Sequence, residues 1–235
     1  MCAFLAKILT TYYLLLSIYF MNRWLPFIII GFFTIVIFLF YSVFLRPVDL
    51  ERLQKEQQKI SITEPTVTFV NPSRGAKVPK VTIIEFSDFE CSACRDLMPA
   101  LETVLKTFPD DVRLVWKDLP NDSAHEQATP AAVAAHCADR QGAFWQYHDV
   151  LFQRQGYLSE DQYSQIASEL KLDTERFTTC VQDQDTLPIV QKDQDEGLAL
   201  GLVATPTIFV NKEKFVGAID VEELLKIIQQ ELVKP

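Results

Sequence analysis

Seven glycines in 235 residues are few, and no Gly-rich run is present that would cradle a phosphate. The three histidines, His125, His136 and His148, do not fall at a metal-ligand spacing, and no Ser/His/Asp arrangement appears. Five cysteines include one C-x-x-C, Cys91-Ser92-Ala93-Cys94, with no second pair to complete a four-ligand zinc site. Positive charge is also scarce. Of 22 basic and 31 acidic side chains, six and four lie up to Glu64, which leaves 16 and 27 from Pro65 onward, a net of −11. So acidic a region is a poor partner for a nucleic-acid backbone, which needs a basic footprint. There is no internal repeat and no low-complexity segment.

Charge is missing altogether from Trp24 to Leu45, WLPFIIIGFFTIVIFLFYSVFL, a run of 22 residues. As a helix it covers about 33 Å, enough for the hydrocarbon core of a bilayer. Trp24 and Tyr41 stand near its ends, where amphipathic rings favour the interface. No small-residue cleavage pattern follows, since the next residues are Arg46-Pro47-Val48, so residues 21–45 read as a retained transmembrane anchor. Residues 1–20 form a shorter hydrophobic extension, and Met21 resembles a natural start of its own. Residues 46–64 are polar and charge-mixed, a tether able to reach about 65 Å when extended. Arg46, Arg52, Lys55 and Lys59 follow the span while Lys7 and Arg23 precede it. By the Lys/Arg rule alone the C-terminal domain would be cytoplasmic.

From residue 65 to 235 the pattern is mixed α and β. Strands are expected at Thr66–Val70, Val81–Phe86, Val112–Trp116, Thr207–Val210 and Lys214–Val216 from their β-branched and aromatic content. Ser92–Phe108 carries Leu97, Ala100, Leu101, Val104 and Leu105 at helical spacing, with Pro99 expected to kink it. A helical block follows, with helices at Glu126–Arg140, Phe144–Phe152, Glu160–Leu170, Thr174–Val181 and Ile189–Leu200. An amphipathic helix, Val221–Val233, ends the chain. The order is βαβ, an inserted helical subdomain at about 121–204, then ββα. A crossover helix between two apolar strands implies a parallel pair.

Cys91 falls where strand gives way to helix. A thiolate there faces unpaired N–H groups and the positive end of the helix dipole, both of which make it more acidic. Cys91 is expected to be the exposed attacking sulfur and Cys94, one turn inward, the resolving one. Zinc binding and a simple staple are the rival readings of the pair. Glu85 is a charge inside an apolar strand, costly to bury unless it has a task. It either exchanges a proton with Cys94 or points to solvent from an edge. Pro206, in Ala204-Thr205-Pro206-Thr207, is either an ordinary strand opener or a cis-proline that turns the Thr205 backbone toward the dithiol. Cys137 and Cys180 are either buried thiols or a disulfide; Cys2 has no partner. The histidines, and the rings of Phe144, Trp145, Tyr147 and Phe152, read as packing residues.

Taken together, EFSDFECSACR (from Glu85), AAHCADRQGAFWQYHDVLF (from Ala134) and ATPTIFVN (from Ala204) resemble the DsbA-like thioredoxin-fold disulfide oxidoreductases, in particular their membrane-tethered bacterial branch. The resemblance covers roughly residues 65–235. It implies an α/β thioredoxin-like fold with a helical insertion, preceded here by the transmembrane helix. It implies Cys91 as nucleophile, Cys94 as resolving cysteine, Glu85 as buried acid and Thr205-Pro206 as the substrate-facing cis-proline pair. Relatives often bridge a cysteine pair where Cys137 and Cys180 lie. No cofactor is implied. The implied partners are reduced exported proteins and a quinone-linked membrane protein that reoxidises the dithiol, with the domain outside the cytoplasm, against the charge count.

One departure bears on chemistry. Ser92-Ala93 has neither the His that favours thiolate in strong oxidases nor the Pro common in relatives, so a milder Cys91 is expected. The same dithiol run in the opposite direction would make a reductase or isomerase. A noncatalytic envelope-bound binding protein, with C-x-x-C as a staple, is the alternative from another class. An anchored cytosolic thioredoxin is the reading that follows from the charge count.

Overall fold

The computed structural model describes residues 25–42 and 62–234. The expectations for residues 1–24, for Cys2 and for most of the tether lie outside these residues. The chain divides into two units, Met1–Ile60 and Ser61–Pro235. In the first, helix α1 (Leu25–Ser42) is long and apolar enough to cross a membrane, and none of it is buried.

The second unit is built on a five-stranded sheet in the order β1-β3-β2-β4-β5. β2 (Val81–Ser87) and β3 (Val112–Asp118) are the central parallel pair, in register from Val81 opposite Val112 to Ser87 opposite Asp118. Helix α2 (Ser92–Thr107) makes the crossover between them. Both strands are buried almost throughout, which is why their sequences are near-continuous apolar runs. β4 (Thr207–Val210) lies antiparallel to β2, and β5 (Glu213–Val216) antiparallel to β4.

Two faces of the sheet are covered differently. α2 and the C-terminal α8 (Val221–Leu232) pack Leu97, Leu101, Val104, Leu224 and Ile228 against Ile83, Leu114 and Ile208. The amphipathic patterns of both helices aim their apolar stripes at this layer. On the other face, α7 (Leu187–Ala199) lies close because Gly197 has no side chain. A Cβ there would come within 2.8 Å of Leu119 Cδ1. Between β3 and β4 the helices α3 (Ala128–Asp139), α4 (Phe144–Gln153), α5 (Glu160–Glu169) and α6 (Thr174–Gln182) precede α7. Their core joins Tyr147, Leu151, Tyr163, Ile166 and Phe177 to Trp116 and Phe89 at the sheet end.

Two local expectations are corrected. Thr66–Val70 is not a strand: Thr68 donates through N–H and hydroxyl to Asn71 Oδ1, at 3.0 and 2.8 Å, and Phe69 is fully exposed. The side chain of Asn71 takes the bonds that a strand partner would have taken, and the first strand is instead the short polar edge β1 (Ser73–Gly75), antiparallel to β3. The first insertion helix begins at Ala128 rather than Glu126, because residues 122–124 and 126–127 form turns. α2 continues through Pro99 to Thr107.

Candidate active site

β2 brings the chain to Ser87, and Asp88-Phe89-Glu90 turns it into α2 with Cys91 as the N-cap, at φ −73° and ψ 116°. The Cys94 N–H donates to Cys91 Sγ at 3.4 Å, so the sulfur occupies the place of an ordinary capping oxygen. Far along the chain, Thr205–Pro206 is a cis peptide, and the Cys91 thiol donates to Thr205 O at 3.4 Å. The fold therefore brings Cys91, Cys94, Thr205 and Pro206 together. Cys91 is 8% exposed and Cys94 not at all, less open than a surface nucleophile would suggest.

Electrostatics separates the two thiols. Hydrogen bonding from Cys94, helped by Thr205 and the Cys94 N–H, pulls the Cys91 thiol down from 9.0 to about 6 against the burial and the charge of Asp88. Burial pushes Cys94 far up, and the charges of Cys91 and Glu85 add to it. Cys91 thus ionises first and Cys94 holds its proton. The groups that lower Cys91 lie outside the Ser92-Ala93 dipeptide: Cys94 beside it and Thr205 from across the fold.

Glu85 sits in β2 between Trp116 and Ile208, on the face that α2 covers, and is fully buried. Burial raises its carboxyl to about 7, opposed by the nearby Ser87 hydroxyl and the Arg74 charge. Neither of its oxygens has a hydrogen-bond partner among the described residues. A buried acid that is half-neutral near pH 7 is suited to proton exchange.

Cys137 on α3 and Cys180 on α6 are joined, with Cα atoms 5.8 Å apart, a cross-link between two insertion helices. Among the described residues no group of His, Cys, Asp or Glu is arranged to hold a metal ion. His136 Nε2 pairs with Asp118 Oδ2 at 2.6 Å, fully inside. His148 is buried among the rings of Phe89, Trp116 and Phe152, and that burial lowers its pKa.

Gln155 carries no sequence signal, yet its side-chain amide donates to Phe89 O at 2.8 Å and Cys91 O at 2.9 Å, clamping the dithiol turn to the insertion. A buried Lys117 pairs with Asp193 at 2.8 Å and Glu196 at 2.6 Å on the opposite face of the sheet. Beside the cis-proline a groove of about 550 Å³ has an apolar side of Leu119, Leu198, Leu202 and Val203 and a polar side that includes Asn121, Asp122, Ser123 and Gln194. Val203 is 95% exposed there.

Fold and dithiol define the class as thioredoxin-fold proteins. The chain belongs to the thioredoxin family, whose model matches residues 69–230. It is similar in fold to oxidised BdbD from Bacillus subtilis, at a TM-score of 0.66 and 22% identity over 74% of this chain and 99% of that one. The thiol-disulfide exchange protein alpha-DsbA2 from Wolbachia pipientis is similar at a TM-score of 0.63, with 18% identity over 79% of this chain and 99% of that one. In sequence it matches the Na(+)/H(+) antiporter NhaA 1 of Salinispora arenicola, 36% identical over 151 residues and 64% of this chain. The chain spans under a quarter, 23%, of that antiporter's length, and a match of that extent gives no ground for assigning ion transport to it.

Proposed function

We propose that this protein is a membrane-anchored thiol–disulfide oxidoreductase that introduces disulfides into exported proteins through Cys91 and Cys94. The carrying observation is the asymmetry of the pair: a helix-capping Cys91 held near 6 beside a buried Cys94 pushed upward. A dithiol whose reduced form is stabilised in this way gives its disulfide away readily.

In the proposed reaction a substrate thiolate attacks Sγ of Cys91 in the oxidised pair, and the Cys91–Cys94 bond breaks. Cys94 leaves with the electron pair and takes a proton from Glu85, the buried acid whose charge acts on it. The substrate's second thiolate then attacks its own bridged sulfur, forms the product disulfide and expels Cys91 as a stabilised thiolate. Two electrons pass to the protein and the substrate is oxidised. Thr205 and Pro206 present backbone to the substrate segment, in the manner of an added strand. A quinone-linked membrane partner removes the electrons, and α1 raises the local concentration of the domain near it.

The Cys137–Cys180 bridge supports an extracytoplasmic location, since such cross-links persist in oxidising compartments. It outweighs the Lys/Arg count. Impermeant thiol labelling of whole cells after reduction tests this: labelling before lysis is expected, and protection until lysis would refute it. The function itself is tested by the equilibrium reduction potential of the Cys91–Cys94 pair against glutathione. A value toward about −120 mV is expected; one near about −270 mV would make the protein a reductant instead.

A further inference from the structure

One carboxylate is built into the turn that carries Cys91. Asp88 is 2% exposed, and its main-chain oxygen accepts from the Cys91 N–H at 3.1 Å. Its Oδ1 accepts from Glu90 N at 2.8 Å, and its Oδ2 accepts from Asn121 N at 3.0 Å. The same Oδ2 lies 2.8 Å from Nδ1 of His125, which reaches across from the loop after β3 with 28% of its side chain exposed. His125 N–H donates to Asn121 O at 2.9 Å, so the imidazole is held on a turn that Asp88 itself anchors. The carboxylate is thus fixed three residues before the nucleophile, and the imidazole is fixed against the carboxylate.

We propose that His125 is a positioning residue for Cys91: its imidazolium cancels the charge of Asp88 beside the thiolate, so the reactivity of Cys91 follows the protonation of His125. The inference rests on the reading of Cys91 as the nucleophile. Its physics is short-range. A bare carboxylate beside a thiol disfavours the thiolate, and an ion-paired one does so much less. The groups that act on His125 are Asp88, Cys91 and Glu90, all of one sign when ionised, and they raise its pKa above the ordinary 6.5. Glu90 is itself engaged by the Gln127 N–H at 2.5 Å. His125 therefore keeps its proton to a higher pH than a free imidazole and loses it as the pH climbs past its raised value. Above that point Asp88 is uncompensated and Cys91 becomes the weaker thiolate.

The test is the rate of Cys91 alkylation by iodoacetamide, a neutral probe, from pH 4 to 10. It uses the reduced full chain in detergent, with the site of labelling read by mass spectrometry. His125→Asn is expected to raise the midpoint of the Cys91 titration. A rise of about half a unit would slow alkylation at pH 5 about threefold, with the plateau rate at high pH unchanged. His125→Lys, which keeps a cation there, is expected to retain the wild-type rate at pH 5. In an Asp88→Asn background the His125→Asn effect is expected to vanish, which a merely structural role would not produce. An unchanged midpoint in His125→Asn, or equal slowing with and without Asp88, would overturn the inference while leaving Cys91 as nucleophile. A wild-type Cys91 that shows no thiolate below about pH 8 would overturn both.

Discussion

Replacing Glu85 by Gln should stabilise the reduced domain in alkaline solution and leave it nearly unchanged in acid. Glu85 is fully buried, and burial lifts its carboxyl from 4.5 to about 7. At 1.36 kcal/mol per unit, that lift corresponds to about 3 kcal/mol of preference for the neutral form. The sign follows from linkage. The folded state binds the proton more tightly than the unfolded state, so the acid costs nothing below about pH 4.5, where both states are protonated. The stability it permits there is lost as pH rises through about 7, and above that the whole cost is present. Gln resembles the neutral acid and does not titrate. The difference between Glu85→Gln and wild type should therefore grow from near zero at pH 4 to about 3 kcal/mol at pH 8. Cys91, pulled down to about 6, titrates in the same range with the opposite sign, but it is present in both chains and largely cancels in the comparison. Urea denaturation of Ser61–Pro235 under reducing conditions at pH 4, 6 and 8 measures the quantity. A difference that stays flat across these values would refute the buried-acid argument.

Other perturbations follow from the same geometry. Cys91→Ser should abolish disulfide transfer, whereas Cys94→Ser should accumulate a mixed disulfide on Cys91, visible as a mass adduct on non-reducing gels. Replacing Cys137 and Cys180 together by Ala opens a cross-link between residues 43 apart in sequence and should cost up to about 4 kcal/mol in denaturation, leaving the Cys91–Cys94 potential near its wild-type value. Lys117→Met strands two carboxylates, Asp193 and Glu196, inside the fold and should cost about 3–5 kcal/mol, read from the urea midpoint. Gln155→Leu removes two bonds to the main chain of the dithiol turn, costs about 2 kcal/mol, and should broaden the Cys91 environment in NMR spectra.

Much of the architecture was legible because it is local. The apolar runs of β2 and β3, the 3.6-residue stripe of α2 and the change from strand to helix at Cys91 each lie within about twenty residues of chain. Glu85 was readable because a charge inside an apolar strand is conspicuous. β1 was not: three polar residues on a sheet edge carry no alternating pattern, while the β-branched Thr66–Val70 nearby drew the assignment. Gln155 and Asp88 were overlooked for a related reason. Gln155 reaches the dithiol turn from a short 3₁₀ turn through its amide alone, and Asp88 is paired with a histidine 37 residues away.

By itself, then, the sequence determined the order of elements, an apolar segment of membrane-spanning length, and a dithiol at the start of a helix. These depend on neighbours along the chain, and periodicity and composition report neighbours. The tertiary structure decided how far apart in acidity the two thiols lie. Thr205 meets Cys91 across 114 residues, Glu85 comes under α2 only through the parallel pairing of β2 with β3, and Cys137 reaches Cys180 only when α3 packs on α6. Burial and charge act through space, over a few ångströms, so the local effect of Cys94 on Cys91 is completed only once distant segments have packed around both sulfurs.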